Sequence, residues 1–493
     1  MSDVAMPSNP YRLPLIATFF LIIWVMGFHV SMLGLGAISH YDEFLTLDRS
    51  TSFAAQNDWW NTYTAHEVNF NKPPLQYWIS GWLIEQGVDL TIALRAPSFM
   101  FGGLTLIGAG LFAFALFPKL PWTVPVTVLF VASSDRFWGA ATMALLDVGS
   151  LFFLTMTFAT IHLALRAPLW WYAVALSIGL GALQKAPIAF GFAMIYLVSL
   201  GLTGRWHGHR FRTFISNRHF LASLALALVL VSSWHLLQFI QHGSTALQQA
   251  VGREIVGRLA PSSASGQVRD LREVLSHMFG AEGAVRLFGL IAAFWLPFRL
   301  RRYDLLPIPL VMLFYAVGIS FSDGFISHRY TLLFTTMTAV MLAGAILAFS
   351  WSMQARILTV LLVSLFSGGP TKPPSELELM RESYVAKQIE VLSSVAKTLD
   401  TERRLFVCNW HKKERFSPGN ISYYGSSGQI FMQVRDVHDL PSVFRSGTTS
   451  SALEGLCRSE DLAILRPFIT DLQILSRDDP YVHFYASVRE LSD

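Results

Sequence analysis

Asn71-Lys72-Pro73-Pro74-Leu75-Gln76-Tyr77-Trp78, arriving about thirty residues after Tyr41-Asp42-Glu43, is the stretch on which the reading of this chain turns. The two carboxylates follow the first long apolar run directly, so they stand at a membrane mouth, and the lysine sits on a turn stiffened by two prolines. Charges in such places are expensive for a membrane protein unless something is bound or reacted there. Trp59-Trp60 and Tyr77-Trp78 are aromatics of the kind that anchor at interfaces, and anchoring alone accounts for them equally well. Between these landmarks, residues 43–57 can form a short interfacial helix with Phe44, Leu47 and Phe53 on its apolar face. Pro73-Pro74 can open a second interfacial helix over Leu75–Glu85.

Outward from this stretch the chain reads as membrane. Of its 493 residues 53% are hydrophobic and 14% charged, with mean hydropathy +0.44. A soluble domain carries about 25% charged residues, so a globule with a large core does not fit. Apolar runs of spanning length, ~17–25 residues, recur through residue 368. Helices are expected near 13–38, 96–117, 122–134, 148–165, 169–184, 186–201, 220–240, 284–298, 304–321, 329–350 and 355–369, about eleven to thirteen spans in all. The first run is too long for a signal-peptide core of ~7–15 residues and reads as a retained helix. The net charge of +4 is small and scattered, which argues against nucleic acid as a partner.

Loop charges set an orientation. With the N-terminus in the cytoplasm, cytoplasmic loops contain Lys119, Arg166, the cluster Arg205, Arg210, Arg212 and Arg218, the cluster Arg299, Arg301 and Arg302, and Arg356. The two densest basic clusters of the membrane part then fall on one side, as the positive-inside rule requires. Residues 39–95, 135–147, 241–283 and 322–328 and the tail from about 370 fall outside. On that side Lys72, Arg95, Arg136, Lys185, Arg253, Arg258, Arg269, Arg272, Arg286 and Arg329 are exceptions. Arg136, Lys185 and Arg329 stand at helix mouths and are the best placed for an anionic ligand. The polar loop 241–283, with Ser262-Ser263-Ala264-Ser265-Gly266, reads as a lid or as a plain flexible loop.

At Ser367-Gly368-Gly369-Pro370-Thr371-Lys372-Pro373-Pro374 the composition shifts to that of a linker. This divides a membrane domain, 1–369, from a C-terminal domain, 370–493. The latter has an amphipathic helical stretch at 376–399 and strand-like pieces at 405–408, 429–434 and 462–465, hence a small α/β domain. Cys408 and Cys457 both lie in it. Outside the cytoplasm they can pair; two unpaired thiols are the alternative, and neither sits in a close zinc-ligand pair.

The chemistry is carried by few side chains. A carboxylate at an apolar mouth is partly desolvated, which suits Asp42 or Glu43 to general-base work, with capping of the next helix as the alternative. Lys72 is a cation on a rigid turn that can meet a phosphate, or else a lysine snorkelling to the interface. Taken together, Tyr41-Asp42-Glu43, the tryptophans, Asn71 to Trp78 and Leu94-Arg95-Ala96-Pro97-Ser98 resemble the membrane-embedded GT-C glycosyltransferases of the bacterial aminoarabinose transferase and protein O-mannosyltransferase type. Lys72-Pro73-Pro74-Leu75-Gln76-Tyr77-Trp78 brings the aminoarabinose branch closer. Arg136 with Leu145-Leu146-Asp147 resembles that family's second outer loop. Leu183-Gln184-Lys185-Ala186-Pro187 is similar to its Lys-Gly-Pro segment and His328-Arg329-Tyr330 to its late Arg-Tyr. The likeness spans about residues 10–350.

The resemblance implies a sugar donor linked through phosphate to a polyprenol and a reaction at the outer face of the bacterial inner membrane. It implies Asp42 as the base for an acceptor hydroxyl, and a leaving polyprenyl phosphate met by Lys72 and Arg329 with Lys185 or Arg136. Glu43 would orient one of these cations, Asp147 would hold the acceptor or a cation, and Tyr330 would line the donor site. In the aminoarabinose branch a glutamate associated with a metal precedes Lys-Pro-Pro; here Asn71 stands there, able to hydrogen-bond a sugar hydroxyl or coordinate weakly. A divalent metal and the identity of the sugar are therefore left open. The acceptor is lipid A, a core oligosaccharide or another envelope glycan, or, alternatively, a protein. A transporter for lipid-linked sugars predicts repeated halves and charges near the bilayer midplane, and the sequence has neither.

Overall fold

The computed structural model describes residues 10–35, 38, 41–64, 67–185, 188–206, 208, 211–250, 252, 273–274, 276, 283–320, 328–349, 351–372, 391, 394–395, 405–408, 431–434, 437–440 and 452–489. The chain divides into two compact units. Met1–Leu35, Asp58–Thr62 and Val68–Glu376 make up the first; Gly36–Asn57, Tyr63–Glu67 and Leu377–Asp493 make up the second.

The first unit is helical. Among the described residues, each of the eleven apolar runs carries a helix: Arg12–Val30, Leu90–Leu116, Thr123–Ala132, Asp147–Ala164, Trp170–Gln184, Ile188–Leu202, Arg218–His242, Gly283–Arg299, Pro307–Ser320, Thr335–Ala348 and Met353–Phe366. Five stretches of the described residues are long and apolar enough to cross a bilayer by themselves. Their burial sorts them. The most apolar windows of Arg12–Val30 and Arg218–His242 are only 22% and 17% buried, whereas those of Asp147–Ala164 and Arg329–Ala348 are 89% and 83% buried. A helix apolar on all sides with an open surface needs lipid around it, so the first two are peripheral and the latter two central. Around the central pair, Phe112, Phe158, Tyr196, Trp171, Met337 and Met341 form one continuous core.

The first helix stops at Val30, short of the expected 38. Nineteen residues already span about 28 Å at 1.5 Å each, enough for the hydrocarbon layer. Beyond it the backbone turns through tight bonds, Met32 N to His29 O and Leu33 N to Val30 O. The interfacial helices fall where the sequence puts them: Tyr41–Gln56 in the second unit and Leu75–Glu85 in the first, the latter starting directly after Pro74.

In the second unit, Tyr63–Thr64 (β1) begins a two-stranded ribbon with Glu67–Val68 (β2), and a five-stranded sheet follows late in the chain. Its strands are Leu405–Cys408 (β3), Phe431–Val434 (β4), Ala452–Arg458 (β5), Ile469–Asp478 (β6) and Tyr481–Val488 (β7), in the order β4-β3-β5-β7-β6. β3 pairs in parallel with β4 and β5; β7 runs antiparallel to β5 and β6. Cys408 and Cys457, one residue past the last β3–β5 register pair, are joined in a disulfide with Cα atoms 4.8 Å apart. Leu462–Leu465, expected as a strand, is a single helical turn between β5 and β6. The reason is its periodicity: Leu462 and Leu465, three apart, are buried while Ala463 and Ile464 face out. The stretch 376–399 and the loop 241–283, including Arg253, Arg258, Arg269, Arg272 and residues 262–266, lie largely outside the described residues.

Candidate active site

A helical hairpin builds the charged site. Asp147 opens the helix Asp147–Ala164, and Lys185 follows the last residue of Trp170–Gln184. The two helices pack against each other across a short turn, so the start of one and the end of the other share a mouth. A carboxylate at a helix N-terminus and an ammonium at a C-terminus each complement the local dipole. Here they also meet: Lys185 Nζ lies 2.7 Å from Asp147 Oδ1, the side chains being 12% and 10% exposed.

Arg329 reaches the same carboxylate from the 3-10 turn His328–Phe334, its Nη1 3.9 Å from Asp147 Oδ2. The next residue, Tyr330, presents its ring 5.2 Å from Lys185 Nζ. Arg136, in the short helix Asp135–Ala141, donates through Nη1 to Thr331 Oγ1 at 3.3 Å. Asp147, Lys185, Arg329 and Tyr330 are thus drawn into one group, with Arg136 joined to it through the 3-10 turn. Three of these are cations on three separate elements.

Asn71 and Lys72 are half-buried at the bend that leads into Leu75–Glu85. The Asn71 backbone N–H donates to Asn69 Oδ1 at 3.0 Å. At the second residue of the helix, Gln76 Nε2 donates to Ser98 Oγ at 2.8 Å and to Leu145 O at 3.3 Å. The helix headed by the Lys72 turn is therefore bonded to the chain just ahead of Asp147. Asp42 and Glu43 stand in the first turn of Tyr41–Gln56, in the second unit, Asp42 half-buried and Glu43 fully buried.

Several residues at this mouth carry no distinguishing sequence signal. Arg286, 1% exposed, donates through Nη2 to Thr331 O at 2.8 Å and Thr335 Oγ1 at 3.3 Å, holding the turn that bears Arg329. Arg95 is fully buried and donates through Nη1 to Leu33 O and Leu35 O at 3.1 and 2.7 Å, closing the end of the first helical segment. Both stand in the sequence as two more basic residues of outer segments. Ser98, Gln76 and Gln184 stand inside the family-like runs Leu94–Ser98, Lys72–Trp78 and Leu183–Pro187, which give none of them a role of its own.

For a metal, the relevant position is Asn71. Its Oδ1 is buried with no hydrogen-bond partner among the described residues. No group of three or more His, Cys, Asp or Glu able to hold an ion occurs among the described residues. Among the described residues no such donor set surrounds this amide.

Solved structures share this architecture. ArnT from Cupriavidus metallidurans, in its crystal structure bound to undecaprenyl phosphate, aligns with a TM-score of 0.71 at 14% identity over 96% of this chain and 97% of that one. The arabinofuranosyltransferase AftD from Mycobacteria aligns with a TM-score of 0.55 at 15% identity over 98% of this chain and 40% of that one. The archaeal oligosaccharyltransferase AglB from Archaeoglobus fulgidus, in complex with an inhibitory peptide and a dolichol-phosphate, gives 0.50 at 10% identity over 92% and 70%. No family model matches the sequence, and no characterised protein matches it by sequence. At such identities the likeness is one of fold. The chain is a multi-pass membrane protein with the GT-C glycosyltransferase fold.

Proposed function

We propose that this protein is an inverting membrane glycosyltransferase. It moves a sugar from a polyprenyl-phosphate donor to a hydroxyl or phosphate of lipid A, a core oligosaccharide or another envelope glycan. The observation that carries this reading is the joining of Lys185, Arg329 and Tyr330 on Asp147 at one helix mouth, with Arg136 on the same 3-10 turn. An arginine and a lysine held around one carboxylate suit a phosphate that arrives with the donor and gains charge as it leaves. The fold gives the same direction, because the ArnT structure was solved with undecaprenyl phosphate.

In the reaction Asp42 takes the proton of the acceptor hydroxyl as its oxygen attacks the anomeric carbon. The bond from that carbon to the phosphate oxygen breaks, and the electron pair leaves with the polyprenyl phosphate. Attack opposite the leaving group inverts the carbon. Lys185, Arg329, Lys72 and Arg136 take up the charge on the phosphate, Glu43 orients one of these cations, Asn71 hydrogen-bonds a sugar hydroxyl, and Asp147 holds Lys185 and Arg329 in place. The Cys408–Cys457 disulfide supports an oxidising compartment for the C-terminal domain, hence a periplasmic active face in the inner membrane of a bacterium.

The test uses the full chain in lipid nanodiscs with a radiolabelled undecaprenyl-phosphate sugar and a total envelope glycolipid extract. Label moving into the glycolipid fraction is the expected result. Label moving into protein would shift the acceptor to a polypeptide, and neither transfer nor binding of undecaprenyl phosphate would overturn the reading.

A further inference from the structure

Directly beneath the charged mouth lies a polar network inside an apolar core. Gln76 and Gln184 are both fully buried, on different helices, and their side-chain amides meet: Gln184 Nε2 donates to Gln76 Oε1 at 2.6 Å. Gln184 Nε2 also donates to Leu146 O at 3.2 Å, and Gln76 Nε2 to Leu145 O at 3.3 Å. Ser98 Oγ donates to Leu145 O at 2.9 Å. Backbone carbonyls only accept, so Leu145 O and Leu146 O fix which end of each amide faces them. The backbone has made room for this arrangement. A Cβ on Gly149 would fall 2.2 Å from Gln184 Nε2, so only a glycine lets the amide lie against that helix.

The two carbonyls belong to the turn immediately before Asp147, and Gln184 immediately precedes Lys185. Gln76 lies one helical turn after Lys72. Three segments that bear site residues are therefore tied to one another through a single pair of amides. Apolar packing could hold the same helices at the same distance. It cannot fix their axial register to a fraction of an ångström, which paired hydrogen bonds in a low-dielectric interior do.

We propose that the Gln76–Gln184 pair is a positioning element: it sets the register of the Lys72, Asp147 and Lys185 segments so that their charges fit one phosphate. The proposal rests on the function argued above. Lys72 and Lys185 meet the donor and Asp147 holds Lys185 for it; the glutamines act through them.

The test is Gln184→Met, which keeps shape and apolar volume but removes the hydrogen bonds, in the full chain in nanodiscs. It is read by binding of undecaprenyl phosphate itself and by the Michaelis constants for donor and acceptor. The expected result is that undecaprenyl-phosphate affinity falls by about tenfold and donor KM rises in step, with acceptor KM unchanged. Gln76→Met removes the same bond from its other side and serves if Gln184→Met does not accumulate. The double variant should lose less than the sum of the two single ones, because they share one bond while each also removes bonds of its own to Leu145 O, Ser98 Oγ or Leu146 O. A merely structural role would lower thermal stability while leaving the donor affinity of the folded protein unchanged, and that result overturns the proposal. Wild-type protein that neither binds undecaprenyl phosphate nor transfers sugar overturns the functional reading instead, and this inference with it.

Discussion

The helix Asp147–Ala164 has basic side chains at both of its ends, and the two ends use them differently. Beyond Ala164, Arg166 Nη2 donates to Ala115 O at 2.6 Å and Arg302 Nη2 donates to Leu116 O at 3.1 Å. Both carbonyls lie in the last turn of Leu90–Leu116, where the backbone has run out of helical donors and the dipole favours a cation. Arg302 further holds Asp304 through two bonds, at 2.8 and 2.6 Å. These cations close helix ends. At the Asp147 end, Lys185 and Arg329 converge on a side-chain carboxylate, while Arg136 and Arg286 converge on the turn that carries Arg329. A carboxylate shared by cations from separate elements can give way to a phosphate. What separates the proposed phosphate-binding cations from Arg166 and Arg302 is therefore that two of them, from separate elements, share one carboxylate instead of capping a backbone carbonyl.

The difference can be tested residue by residue. Asp42→Asn removes the proposed base and no phosphate contact, so transfer should fall about a thousandfold while donor affinity holds. Label transfer and undecaprenyl-phosphate binding on one preparation check this, and full turnover sinks the base assignment. Asp147→Asn removes the counter-charge that Lys185 and Arg329 share. Breaking a pair this buried should destabilise the folded protein by about 3 kcal/mol and lower kcat/KM by about a hundredfold. Thermal unfolding and initial rates separate the two effects; loss of stability alone would make the cluster a structural feature like that of Arg302. Lys72→Ala should weaken donor binding by about 2 kcal/mol. Unchanged affinity would return Lys72 to the role of an interface anchor.

Much of this was legible in the residues because membranes impose long-range regularity. Eleven apolar runs became eleven helices, and Pro73-Pro74 started the helix Leu75–Glu85 as its fixed dihedrals require. The Asp147–Lys185 meeting was implicit too: an acid opening one helix and a base ending the next must share a mouth if the hairpin is tight. The buried network under it had no such signal. Gln76 and Gln184 are separated by more than a hundred residues, and a glutamine in an apolar helix does not declare its partner. Arg286 was hidden in the same way, since its acceptors are a distant backbone carbonyl and a threonine hydroxyl. In the C-terminal sheet the strands β5, β6 and β7 escaped notice, β6 because polar, exposed positions interrupt it. Leu462–Leu465 misled because four apolar residues in a row fit a strand or a helical turn equally.

The smallest expected effect bears on the comparison most directly. Arg302→Ala removes a cap from Leu116 O and an ion pair whose arginine is 36% exposed. Solvent screens such a pair. The loss of stability should be no more than about 1 kcal/mol. Donor affinity and kcat/KM per folded molecule should not change, because no bond from Arg302 leads to Asp147, Lys185 or Arg329 among the described residues. Thermal unfolding beside steady-state rates measures both quantities on one sample. A tenfold fall in kcat/KM with stability intact would mean that the two helix ends communicate, and that the acceptor of a cation does not by itself reveal its purpose.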